Sequence, residues 1–148
     1  MSDKRFVIES NFVYKGLRCV VIFGSMGHRC GYVGVPKSHI LYGKDYNDNI
    51  GLETIECKFD VHGGITYAGG NDYPIDTNGE LWWFGFDTAH YGDGKNIDLA
   101  YKYELLDEKT YSILKESESM FGSDSEVKSL DYCIEQCKLL ADQFKEVK

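Results

Sequence analysis

Proline is almost missing from this chain, with two in 148 residues. No proline-rich linker, low-complexity segment or internal repeat divides it, so residues 1–148 read as a single domain. Cations are scarce: 16 Lys and Arg stand against 24 Asp and Glu, a net charge of −8. No basic cluster is longer than a pair such as His28-Arg29. Direct binding to DNA or RNA needs clustered cations to neutralise phosphates, so that class is set aside. No stretch approaches the roughly 18 apolar residues of a membrane span, and Met1-Ser2-Asp3-Lys4-Arg5 has no apolar signal region. Disulfide patterning is lacking too, because five cysteines make an odd set without paired spacing. These absences predict free thiols in a reducing cytoplasm and no membrane partner. An acidic balance mostly serves solubility; its sharper reading is a carboxylate surface that imitates nucleic acid and blocks a basic groove on another protein.

Glycine is abundant early and nearly absent late. Fifteen of the sixteen glycines lie between Gly16 and Gly94, and only Gly122 follows. This shift predicts a strand- and glycine-rich part over 1–95 and a helical part over 96–148. Residues 6–14 and 17–23 are rich in Val, Ile, Phe and Tyr and flank Lys15-Gly16, the pattern of a hairpin. A third strand is expected over 31–35, stopped at Pro36, and a polar surface loop over 37–52. Strands then follow over 53–62 and 65–68, joined by Gly63-Gly64, and a buried one over 81–87 after a loop. Period-two alternation puts Asp60 and His62 opposite Phe59 and Val61, and puts Trp83 and Asp87 opposite Trp82, Phe84 and Phe86. A helical stretch covers roughly 108–120. Ser123-Asp124-Ser125-Glu126 reads as a capping box before an apolar stripe of Val127, Leu130, Ile134, Cys137, Ala141 and Phe144. Cys133 and Cys137, four apart, read as small core residues. The whole predicts an α+β fold, in which an antiparallel sheet of about five or six strands packs against a long C-terminal helix and a shorter one.

All four histidines fall between residues 28 and 90. Asp60-Val61-His62-Gly63-Gly64 and Asp87-Thr88-Ala89-His90-Tyr91-Gly92-Asp93-Gly94 set imidazoles beside carboxylates and glycines. Such groups move protons or hold a divalent metal, and the glycines let a ligand approach the backbone. His62, Asp87 and His90 are the candidate catalytic residues, with His62 as base or ligand and Asp87 as the orienting carboxylate. Asp60 and Asp93 complete the candidate ligand-binding set, and Tyr67 and Trp83 offer stacking surfaces. Zinc, manganese or magnesium suit these donors, with a bound water as nucleophile, although neither spacing is an established metal signature. The structural alternative is that the aspartates hydrogen-bond loop amides and the histidines tie down glycine turns. Gly24-Ser25-Met26-Gly27-His28-Arg29-Cys30-Gly31 has the glycine density of a phosphate loop but fits neither nucleotide fingerprint, and reads as a hairpin loop. Cys30, beside Arg29, is a further candidate nucleophile with His28, His39 or His62 as base.

Three stretches carry a likeness to known proteins: Gly31-Tyr32-Val33-Gly34-Val35-Pro36 with His39 and Leu41-Tyr42-Gly43-Lys44, then Val61 to Gly69, then Trp82 to Asp93. Together with the closing helix they resemble a group of small proteins encoded by tailed bacteriophages and prophages. The resemblance implies a phage or mobile-element origin and expression inside a bacterial host cell, and implies no reaction. Small non-structural phage proteins often counter host defences, which is an association rather than a physical warrant. The expected function is therefore a phage-encoded accessory protein, a counter-defence factor that binds, and in one version hydrolyses, a small polar ligand such as a nucleotide. The rival is an acidic inhibitor that docks on a host defence protein without chemistry; a virion component has little support, lacking repeats or a fibrous pattern.

Overall fold

Lys15 and Gly16 set the first hairpin. Both take positive φ, 50° and 83°, as a tight turn matching the right-handed strand twist requires. Strand β1 (Phe6–Tyr14) thereby folds back on β2 (Leu17–Gly24). The computed structural model describes residues 5–89, 94–121 and 127–147. A turn at 25–28, in which the Gly24 amide donates to the His28 carbonyl at 2.8 Å, leads into β3 (Arg29–Pro36). That strand starts earlier than the expected 31–35 because Arg29 already pairs with Phe23. The chain continues through β4 (Asn49–Ile50), β5 (Glu53–Thr54), α1 (Ile55–Lys58), β6 (Tyr67–Gly69), β7 (Leu81–Asp87), α2 (Ile97–Lys102), α3 (Glu108–Phe121) and α4 (Leu130–Glu146). Five strands form one antiparallel sheet in the order β1-β2-β3-β7-β6, and β4 and β5 form a separate small ribbon. The fold is α+β, as the composition shift predicts.

One sheet face lies under α4. Leu17, Cys19, Val21, Val33, Val35, Phe84 and Phe86 meet Cys133, Cys137, Leu140, Ala141 and Phe144 there, all buried. Each fully buried Leu or Phe contributes about 1.5–3 kcal/mol, so this helix is a main anchor of the fold. The opposite face buries Val20, Ile22, Tyr32 and Trp83 under Phe6, Tyr67, Tyr73, Ile75 and Leu81. Alternation along β7 runs as expected, with Trp82, Phe84 and Phe86 toward α4 and Trp83 on the far side. Between β3 and β7, glycine stands opposite aromatic: Gly31 pairs with Phe86 and Gly85 with Tyr32. A Cβ on Gly31 would sit 2.4 Å from the Phe86 ring, and one on Gly85 2.4 Å from the Tyr32 ring. Both rings lie flat across the partner strand because no side chain stands there. The glycine-aromatic motifs of these strands are thus in the first place packing devices.

A β-bulge at Glu9 interrupts the β1–β2 register and turns its carboxylate inward. Arg29 Nε donates to Glu9 Oε1 at 2.6 Å, with side chains 9% and 5% exposed. The Tyr103 hydroxyl donates to Glu9 at 2.7 Å, Arg29 reaches the Lys128 carbonyl at 2.8 Å, and its guanidinium lies over the Phe23 ring. This buried knot ties α2 and the approach to α4 to the sheet.

Two sequence expectations need correction. Residues 53–62 do not form one strand: only Glu53–Thr54 is paired, and α1 follows. Ile55 and Phe59, four apart, are buried while Cys57 between them is exposed; a strand would put all three on one face, and a helix turns Cys57 away. The C-terminal helix begins at Leu130, because Ser129 caps it by accepting from the Tyr132 amide at 3.1 Å. The expected capping residues 123–126 lie outside the described residues, and 127–129 are not helical. The 37–52 loop is also less superficial than expected. Leu41 is fully buried, Trp82 Nε1 donates to the Lys44 carbonyl at 2.7 Å, and the Tyr42 hydroxyl donates to the Gly79 carbonyl.

Candidate functional site

After Phe59 the chain runs as a strap along α4. The Gln143 side chain accepts from the Asp60 amide at 2.8 Å and donates to the Asp60 carbonyl at 2.7 Å, imitating a β-bridge. One further step along, Gln136 accepts from the His62 amide at 2.8 Å. The His62 ring lies edge-on to Tyr132, with Nδ1 2.8 Å from the phenolic oxygen. Val61 packs into the core between them. The alternation at 59–62 is therefore real, but a helix rather than a neighbouring strand supplies the pairing groups. Asp60 is exposed.

Asp87 ends β7 and pairs across the sheet with Cys30. Its carboxylate accepts from the Thr66 hydroxyl and from the Ala89 amide, each at 3.0 Å. These bonds pin the strand end and the start of β6 together. Register places Asp87 on the face of Cys30 and Trp83, away from α4, whereas the bonds of His62 run to α4. His62 is thus bonded to Tyr132 and Gln136 of α4, and Asp87 to Thr66 and Ala89. His90 and Asp93 lie outside the described residues. Among the described residues, no group of three His, Cys, Asp or Glu side chains is arranged to hold a metal ion.

The two expected stacking residues are also occupied. Trp83 is 0% exposed, with its ring against Gly34, so it has no face for a ligand. Tyr67 is half-buried; its ring stands edge-on to Tyr32 and Tyr73, and its hydroxyl donates to the Tyr73 carbonyl at 3.3 Å. His39, one candidate base for Cys30, is a clamp: Nδ1 accepts from the Leu41 amide at 3.0 Å, which leaves Nε2 to donate to the Phe144 carbonyl at 2.8 Å.

A hollow does open on the face away from α4, at the sheet end that carries Cys30. It has a volume of about 490 Å³ and a mainly apolar wall that includes Phe6, Ile22, Met26 and Tyr73, with Cys30 at its side and Arg5 and His28 among its lining. Ala89, two residues past Asp87, also lines it. Its floor is rigid: the Phe6 and Tyr73 rings meet edge to face at 5.3 Å, and the Tyr32 and Tyr73 hydroxyls are 2.6 Å apart. The thiol there is not activated. Burial, the nearby Asp87 charge and a hydrogen bond with Tyr32 act together, the first two prevailing, and push Cys30 up from 9.0 to about 11. Arg29, expected to depress it, points to the α4 face and is held by Glu9. Burial also raises Tyr73, so this wall is uncharged at neutral pH.

Arg5 and Phe6 carry no motif, and only packing brings them beside Cys30. The loop 24–31 was visible as a candidate for its glycines. No helix among the described residues is long and apolar enough to cross a membrane. Comparison with known proteins found no matching family model, no similar curated protein and no similar solved structure.

Proposed function

We propose that this chain is a small phage-encoded accessory protein, a counter-defence factor that acts by holding a small ligand in the hollow beside Cys30. The observation that carries the reading is the aromatic wall of Phe6 and Tyr73 in a hollow on the sheet face away from α4. A cavity of this size, apolar with a few polar groups at its edge, is the form of a small-molecule site. Holding is favoured over turnover because the cavity thiol is protonated and Nδ1 of His62 is bonded to Tyr132 of α4. The proposed site thus keeps the strand end at Asp87 from the sequence-based expectation and drops Asp60, His62 and Trp83 from it. Native mass spectrometry of the protein purified from a bacterial host tests this. A bound small molecule that is lost in Tyr73→Ala and kept in His62→Ala supports the site. Loss in His62→Ala with retention in Tyr73→Ala refutes it.

A second reading rests on a separate observation. The stretch 44–80 holds eight carboxylates and only two lysines, six of the chain's eight net negative charges. All eight carboxyl residues are exposed, and the contacts of Tyr42 with Gly79 and of Trp82 with Lys44 hold the two halves of the stretch together. Such a surface suits docking on a basic face of a host defence protein. Reversing Asp45, Asp48 and Asp76 to Lys abolishes function under this reading and leaves it unchanged under the first.

A further inference from the structure

The charges around the hollow narrow its ligand. In a chain with 24 carboxylates against 16 Lys and Arg, no carboxylate side chain among the described residues lines this cavity, while Arg5 and His28 both do. Asp87, whose charge is felt at Cys30, has its two oxygens engaged by the Thr66 hydroxyl and the Ala89 amide. The walls offer flat and polarizable groups: the rings of Phe6 and Tyr73, the Met26 thioether and the protonated Cys30 thiol. Aromatic ligands gain from such edge and face contacts beyond simple area burial, and sulfur at a ring edge adds to them. A guanidinium at the mouth binds planar anionic groups in preference to neutral ones.

We infer that the cavity takes a molecule with a flat aromatic ring and an anionic group, the ring among Phe6, Met26 and Tyr73 and the charge toward Arg5 and His28. Nucleoside monophosphates and aryl carboxylates share this chemistry. The inference rests on the ligand-holding function proposed above and deepens it. Neutral aromatics have nothing to offer Arg5, and aliphatic anions have nothing for the wall.

Isothermal titration of the whole protein with four probes tests it: adenosine 5′-monophosphate, 2-naphthoate, adenosine and inorganic phosphate. One or both aromatic anions should bind, and which of them does separates a phosphate source from a carboxylate one. The binding anion should exceed its neutral or ring-free counterpart by about tenfold, the scale of one charge-assisted hydrogen bond. Arg5→Gln, at an exposed position, should erase that advantage. Met26→Glu, also exposed, should remove anion binding by placing a carboxylate in the wall. If adenosine matches the monophosphate, or if Arg5→Gln changes nothing, the ligand class is wrong while ligand holding stands. If no probe binds and the native protein carries no small molecule, ligand holding itself is wrong.

Discussion

The chemistry of Cys30 decides whether the hollow is a reactive site or a container. Its thiol is pushed from 9.0 to about 11 by burial and by Asp87. At pH 7 an ordinary thiol is about one part in a hundred thiolate and this one about one part in ten thousand. The rarer anion is more basic and thus more nucleophilic, which returns a factor of about eight for a two-unit rise. Cys30 should therefore react with iodoacetamide about tenfold more slowly than an unperturbed thiol, before any shielding by the wall. Cys57, exposed on α1, serves as the internal reference. Timed alkylation with peptide-level mass spectrometry across pH 6 to 10 reads both. Cys57 should label first at every pH, and the Cys30 rate should still be climbing at pH 10. The raised value also carries a sign for stability. The protonated thiol favours the folded state, so its contribution is complete below pH 9 and is lost as pH rises through about 11. The full loss is on the order of 2 to 3 kcal/mol. Alkylation of Cys30 as fast as Cys57 near pH 7 would refute this reasoning and restore the activated nucleophile.

Other outcomes follow from the same coordinates. Glu9→Gln strips the charge from a carboxylate 5% exposed and leaves Arg29 buried without its counterion; urea denaturation should show a loss of about 3–5 kcal/mol. Gly31→Ala drives a methyl into the Phe86 ring and toward the Cys137 sulfur, and its midpoint should fall by about 1–3 kcal/mol or more. His62→Ala removes the bond and the edge-on ring contact to Tyr132 and should cost about 1 kcal/mol or more in a thermal melt.

The sheet was legible because its signals are local. Lys15-Gly16 demands a turn, Pro36 ends a ladder, and the alternation of Trp82, Trp83, Phe84 and Phe86 distributes two faces without knowledge of what covers them. The C-terminal stripe was legible for the same reason, although the helix starts later than 123–126 suggested because Ser129 offers a cap. The error over 53–62 has a different source. Asp60 to His62 is extended, yet Gln136 and Gln143 of α4 complete its hydrogen bonds, and nothing near residue 60 announces a helix more than seventy residues on. The site was misjudged where sequence proximity stood in for spatial proximity. His62 and Asp87 occupy similar glycine-rich surroundings, but the strap before β6 ties His62 to α4, while Asp87 at the end of β7 is held by Thr66 and Ala89. Glycine beside imidazole and carboxylate was taken as a mark of ligand approach; at Gly31 and Gly85, opposite aromatic rings, it marks close packing. The cavity depends on Phe6, Met26 and Tyr73, which come from three separate segments and share no motif.

The most direct test of the central claim is amide and methyl chemical-shift mapping of the native protein as a bound or added aromatic anion is titrated. The account predicts shifts at Phe6, Met26, Cys30 and Tyr73 while His62, Gln136 and Gln143 stay still. Shifts centred on His62 and Tyr132, with the Cys30 hollow unmoved, would contradict it.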